Sequence, residues 1–273
     1  MENKQVICEL LKKSSYRFDD LVSIMVILRG EGGCPWDREQ THKSIRNDLI
    51  EETYEVIEAI DTENPALLRE ELGDVLLQVV FHARISEEEK AFSIDDVTDE
   101  ICKKLIHRHP HVFADVVADT SDEVLKNWET IKSDEKSRKT VTDKLKSVPP
   151  MLPALMRATK VGKKASCFDF PTVEDVMDKL SEEFVEVSEA VAEGDQAHIH
   201  EEIGDLLLTV TSLCRKLNVS AEDALRDATD KFITRFEKVE NAVLEEGKEL
   251  SDYSLEELDA IWVKNKEKMQ KKA

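Results

Sequence analysis

Two acid-bearing segments, set 131 residues apart, constrain this chain more than any other feature. Residues 49–60 read LIEETYEVIEAI and residues 180–191 read LSEEFVEVSEAV. Behind them, ELGD at 71–74 is matched by EIGD at 202–205. The offset is the same from Glu51 to Glu182, Glu55 to Glu186, Glu58 to Glu189, Glu71 to Glu202 and Asp74 to Asp205. A register held through a helix, a turn and a second helix requires one supersecondary unit built twice. The chain therefore reads as two related halves, and 273 residues suffice for two ordinary domains.

Helical periodicity runs through both halves. Phe18, Leu21, Val22, Met25 and Leu28 share one face, which Gly30–Pro35 ends. A second helix is expected from about Thr41 to Ile60. Asn64 and Pro65 supply a cap and first turn for a third, reaching about Ser86. Its stretch Val75–Ala83 is apolar on most faces, so it should be central and buried. Ser93 with Asp96 opens a fourth helix, which His109-Pro110 closes, and Thr120 or Ser121 opens a fifth. The second half repeats the plan. A helix covers about 153–165, Thr172 with Asp175 caps the acidic helix, and another follows over about 196–217. Ser220 opens a long helix that Gly247 ends, and Ser254 with Glu257 opens the last. No alternating apolar and polar run marks a strand. The expected fold is all-α, with tandem helical bundles over 1–132 and 151–273 joined by the polar, proline-bearing segment 133–150.

On the first acidic helix, Glu51, Glu52, Glu55 and Glu58 fill an arc of about 120° beside the apolar stripe. Glu71 and Asp74 form one patch on the next helix. Carboxylates gathered at the edge of a core repel one another unless a cation lies among them. Mg²⁺ takes oxygen ligands, keeps waters and bridges to phosphates, and Mn²⁺ is the alternative ion. A single EExxE reads most simply as a solvated face making surface ion pairs. Two copies in register, each with ExxD on an otherwise apolar helix, weigh against that. Gly73 and Gly204 each cost roughly 1 kcal/mol inside a helix, which predicts something packed close to the backbone there.

Cations recur with the acids. Lys104 and Arg108 lie one turn apart, as do Lys231 and Arg235; Trp128 precedes Lys132 by one turn, as Trp262 precedes Lys266. Such cations neutralise phosphate oxygens, and Trp packs on a base or ribose. A net charge of −21 argues against a nucleic-acid partner and obliges any anionic ligand to use metal ions or local cations. Five scattered cysteines without a C-x-x-C pair suit a reducing cytoplasm. No stretch approaches the roughly 18 apolar residues of a membrane span, and MENKQVICELLKKSS lacks a signal-peptide core. His107, His109 and His111 fit no usual zinc spacing around Pro110. Gly30, Gly32 and Gly33 follow a helix and lack G-K-[ST], which excludes a P-loop. The cysteines lack the His-acid setting of a thiol nucleophile.

Several stretches together carry a resemblance: GCPWDREQTH (33–42), EETYEVIEAI, EELGDVLLQVVF, KLIHRHPHVF, SVPPMLPALMRA, EEFVEV, EEIGD, DKFITRF and W-x-x-x-K at 262–266. The chain resembles the MazG family, tandem-domain nucleoside triphosphate pyrophosphohydrolases of the all-α NTP pyrophosphatase superfamily. The resemblance implies that Glu183, Glu186, Glu202 and Asp205 bind Mg²⁺ in the second half, and Glu52, Glu55, Glu71 and Asp74 in the first. Glu182 is then either a further ligand or the base that activates water. Lys179, Lys231, Arg235, Trp262 and Lys266 would hold the triphosphate and nucleoside, with Lys104, Arg108, Trp128 and Lys132 in the first half. It further implies cleavage to a monophosphate and pyrophosphate, and a homodimer. CFDF at 167–170 departs from the family's frequent GFDW; Phe170 can still stack, and the change bears on nucleobase preference. A narrower dUTPase-like or phosphoribosyl-ATP pyrophosphohydrolase, or a non-enzymatic helical metal-binding protein, are the alternatives. Arg235 lies within a long helix and Arg108 just before Pro110, so the second site is expected to dominate.

Overall fold

The computed structural model describes residues 2–135 and 140–270. Among these residues there are fourteen α-helices and no strand. The chain divides between Lys132 and Ser133 into two compact units.

The first unit opens with α1 (Glu2–Leu10) and α2 (Phe18–Arg29). The loop after α2 turns sharply, because the Cys34 N–H donates to Leu28 O at 2.8 Å. A Cβ on Gly33 would lie 2.3 Å from the Ile27 and Leu28 carbonyl oxygens, so only glycine fits that bend. α3 (Pro35–Glu39) follows, and α4 (Arg46–Asp61) starts later than the periodicity predicts. The cause is local. The Thr41 N–H donates to Ser44 Oγ at 2.9 Å and the Ser44 N–H to Thr41 Oγ1 at 3.2 Å, a side-chain alternative to the helical ladder.

A short turn joins α4 to α5 (Pro65–Glu88). Glu63 adopts φ 50°, and the Asn64 side chain accepts from the Ala66 and Leu67 N–H groups. The second unit builds the same turn between α11 (Val173–Glu193) and α12 (Gln196–Lys216). There Gly194 has φ 77° and Asp195 caps the Ala197 N–H at 2.9 Å. Glu63 and Gly194 stand 131 apart, as do Asn64 and Asp195. Glutamate in the left-handed region costs about 1 kcal/mol, offset by a cap of about the same size. In both units this turn folds the acidic helix back onto the ExxD helix.

The core of the first unit is Met25, Ile45, Val80, Phe81 and Ile85, with Leu21, Val22, Leu77 and Ile94 against it. The Arg29 side chain stacks over Phe81 at 5.3 Å and bonds Glu88 at 2.7 Å, tying α2 to the end of α5. α6 (Ile94–Arg108) begins at a Ser93–Asp96 capping box; the single turn α7 (Pro110–Phe113) and then α8 (Ser121–Glu135) follow. In the second unit α9 (Val141–Lys146) lies within the stretch read as a linker. α10 (Ala154–Lys164) packs on α12, and α13 (Ala221–Glu245) packs on α10, α12 and α14 (Leu255–Gln270). Val176, Ala190, Ala221, Val239 and Val243 are buried there.

Two expectations need correction. Only part of the run Val75–Ala83 on α5 is buried: Leu76 and Val79 are exposed, as is Leu72 just before it, and Ile203 and Leu207, which match Leu72 and Leu76, are exposed on α12. Within its own unit α5 packs on α2, α4 and α6, and α12 on α10, α11 and α13, which leaves part of each apolar stripe uncovered by those neighbours. Gly73 and Gly204 are likewise open, since a Cβ on either would meet nothing within 4 Å.

Candidate metal centres

On α4 and α5, one carboxylate oxygen each from Glu52, Glu55 and Glu71 lies within 4.8 Å of the others. Glu51 and Glu58, included in the sequence arc, are exposed instead. A rotation of one residue along the helix decides which glutamate meets α5. Burial pushes the Glu52 carboxyl up to about 7, with Glu55, Asp74 and Glu71 adding to the effect. Burial, followed by the charge of Glu55, also raises Glu71. Asp74 thus contributes charge, although its oxygens stand outside the converging triplet. Among the described residues no Lys, Arg or His makes an ion pair with Glu52, Glu55 or Glu71.

The second unit places Glu183 and Glu186 of α11 and Glu202 of α12 in the same relation, again within 4.8 Å. Here cations of the chain reach the acids. Lys179 Nζ lies 2.8 Å from Glu182, 3.0 Å from Glu183 and 3.7 Å from Glu186. His198 lies 3.0 Å from Glu193 and 3.2 Å from Glu202. Glu182, then Glu183, raise the Lys179 ammonium above its usual range, and Glu193 raises His198. The positions 131 earlier in the chain are Asp48 and Leu67, so neither cation has a counterpart. Glu183 is 4% exposed, and its Oε2 is buried without a hydrogen-bond partner. Asp205 is exposed and outside the triplet. Buried carboxylates with an unsatisfied oxygen and repelling charge fit a hard divalent ion.

The cation and tryptophan sets differ between units. Arg108 is buried with its guanidinium 5.2 Å over the Trp128 ring, and Lys132 Nζ lies 4.5 Å from the same ring. Lys104 pairs with Glu100 at 3.5 Å on the surface of α6. In the second unit Trp262 packs on Phe232, ring centroids 5.2 Å apart, and Phe232 lies 6.2 Å from Phe236. Arg235 is half-buried with an unpartnered Nε, while Lys231 and Lys266 are exposed. His109 Nδ1 lies 2.6 Å from Leu105 O, and the histidines around Pro110 form no converging ligand group among the described residues.

The loop before α11 is tethered. Arg215 donates to Asp169 at 2.5 and 2.7 Å, and Lys216 lies 3.3 Å away. A Cβ on Gly162 would stand 3.2 Å from Arg215 Nε, so the small residue leaves room for the guanidinium. Phe170 is half-buried and Phe168 exposed. Arg215 holds the Asp169 carboxyl at about 2 against the opposing effect of burial. A depressed carboxyl stabilises the fold above its unfolded value near 4, and that contribution is lost as pH falls toward 2. Asp169→Asn is expected to cost about 2 kcal/mol at pH 7, with the gap to wild type closing at pH 2–3. Urea unfolding at both pH values checks this; a gap that does not change with pH refutes it. Sequence reasoning missed His198 and Arg215. The first carries an i,i+4 signal toward Glu202; the second acts across 46 residues and carries none.

The family model of the MazG nucleotide pyrophosphohydrolase domain matches residues 40–113 and 171–240, one match per carboxylate triplet. The chain is 46% identical over 258 residues to the nucleoside triphosphate pyrophosphohydrolase/pyrophosphatase MazG of Thermotoga maritima, covering 94% of this chain and 98% of that protein. It is 45% identical over 251 residues to the nucleoside triphosphate pyrophosphohydrolase of Escherichia coli K12, covering 90% and 95%. A Bacillus subtilis protein, YabN, is 46% identical over 255 residues, which cover 92% of this chain and 52% of that protein.

Proposed function

This chain belongs to the MazG nucleotide pyrophosphohydrolase family, and from that we propose that it hydrolyses nucleoside triphosphates to monophosphate and pyrophosphate with Mg²⁺ held by its carboxylate triplets. The observation that carries the reading is the same triplet built twice on facing helices, with a buried Glu183 oxygen that none of the described residues satisfies. When bound, divalent ions supply charge that polarises the phosphoryl oxygens and makes water a better nucleophile.

The chain's own residues do the rest. Glu183, Glu186 and Glu202, with Asp205 a turn beyond, would hold the ions in the second unit; Glu52, Glu55, Glu71 and Asp74 would do so in the first. Glu182 is exposed and paired with Lys179 rather than turned into the triplet. That position suits a base taking the proton of the attacking water better than a ligand. Arg235 and Lys231 on α13 would neutralise phosphate oxygens, and the Trp262–Phe232 pair offers an aromatic face to the nucleoside. The exposed stripes on α5 and α12 support a homodimer. Five free cysteines suit the cytoplasm.

The test is product analysis over a panel of ribo- and deoxynucleoside triphosphates with Mg²⁺. Pyrophosphate with monophosphate is expected. Orthophosphate with diphosphate, or no metal-dependent turnover, refutes the reading.

A further inference from the structure

Resting on the reading of the triplets as metal ligands, we propose that Lys179 is a built-in counter-ion competing with the divalent ion for the second triplet. The two sites of one chain then differ in metal affinity, the first tight and the second weak until an anion draws Lys179 away.

The geometry is specific. Lys179 stands three, four and seven residues before Glu182, Glu183 and Glu186, so its ammonium lies on their face of α11. It reaches all three, at 2.8, 3.0 and 3.7 Å. A divalent ion on the Glu183 and Glu186 oxygens would sit within a few ångströms of that ammonium, where like charges repel strongly. Either the lysine moves or the ion binds weakly. Glu183 Oε2, unpartnered and buried, marks the side of the carboxylate that the lysine leaves open. His198 faces Glu202 from α12 in the same sense.

The first unit is an internal control. Asp48 occupies the position 131 residues before Lys179, with the same three-, four- and seven-residue spacing to Glu51, Glu52 and Glu55. A further acid stands where the second unit has a base. Among the described residues the first triplet has no cation beside it, so a divalent ion there relieves repulsion and displaces none of them. In the second, the displaced ammonium becomes free to meet an anionic phosphate. Metal and nucleotide should therefore enter the second site together.

Mn²⁺ titration of the full chain, followed by the paramagnetic signal of the free ion, tests this without turnover. Glu55→Gln and Glu186→Gln assign the two binding classes. The class lost in Glu55→Gln is expected to be the tighter. Lys179→Met should tighten the class lost in Glu186→Gln by about tenfold or more. Asp48→Lys, a change on α4 that leaves the sequence of α11 intact, should weaken the first class by a similar factor and covers the case in which Lys179→Met fails to fold. Unchanged or weaker binding at the second site in a folded Lys179→Met overturns the proposal, as does a first class indifferent to Asp48→Lys. Mn²⁺ bound at neither triplet would remove the metal reading itself; Mn²⁺ bound at both but indifferent to these charges would remove only the counter-ion.

Discussion

Glu186→Ala is expected to lower turnover of a nucleoside triphosphate by about a hundredfold or more, while Glu55→Ala leaves most of it. The magnitude follows from what positioned charge contributes in an active site, of order 10²–10³ per group. The asymmetry follows from the cations around each triplet. In the first unit Arg108 is buried against Trp128, and α6 ends there. A guanidinium committed to a ring face must give up that contact to reach a phosphate. In the second unit Arg235 lies inside the uninterrupted helix Ala221–Glu245 with a buried, unpartnered Nε, and Lys179 is already beside the carboxylates. Rigid placement of the charges that meet the phosphates is what phosphoryl transfer rewards. Both variants should fold. In metal-free protein Glu55→Ala removes a repelling charge beside Glu52, whose carboxyl stands at about 7. A raised carboxyl favours the fold at low pH and loses that contribution as pH rises through about 4.5 to 7. The metal-free wild type should therefore gain more than Glu55→Ala when the pH is lowered from 8 to 5. Assays of both variants on one nucleotide panel, with thermal unfolding alongside, decide the matter. Greater damage from Glu55→Ala across the panel would reverse the ranking.

The parts of this fold legible in the sequence are those whose cause is local. Ser93–Asp96, Thr172–Asp175 and Ser254–Glu257 announce helix starts because donor and acceptor stand three residues apart. Thr41 and Ser44 defeat the same logic, because their side chains bond each other's main chain and postpone α4 to Arg46. The constant offset in the acids and the turn residues Glu63 and Gly194 describe one repeat seen twice. Helical spacing places Glu51 and Glu52 nearly together, whereas contact with α5 separates them, one exposed and one in the triplet. The Arg215–Asp169 tether depends on three-dimensional closure over 46 residues, and nothing at either position signals it. Gly73 and Gly204 raise the opposite problem. Their sequence position suggests close packing, and among the described residues no atom supplies it.

That open side is where assembly is expected. Leu72 and Ile203 are 51% and 43% exposed, and Leu76 and Leu207 are 40% and 50%. Each pair stands 131 residues apart, so the repeat reproduces an exposed apolar stripe as faithfully as it reproduces the acids. Phe184 and Val185 on α11 are exposed as well in the second unit, and Tyr54 on α4 in the first. Scattered exposed leucines need no explanation, but contiguous stripes on the two central helices do. A second copy would cover them with the same surface, as two-fold symmetry requires, and the glycines beside Asp74 and Asp205 would let backbones approach. Burying such stripes in both units implies an interface above about 2,000 Å², in the obligate range. The wild type should therefore run as a dimer at micromolar concentration by light scattering. Leu207→Glu, which buries a carboxylate without a partner if the dimer forms, should weaken association by about a hundredfold or more. Its activity should fall with association, because α12 carries both Leu207 and the proposed ligand Glu202. A wild-type monomer would end the argument, and so would a Leu207→Glu protein that stays dimeric and fully active.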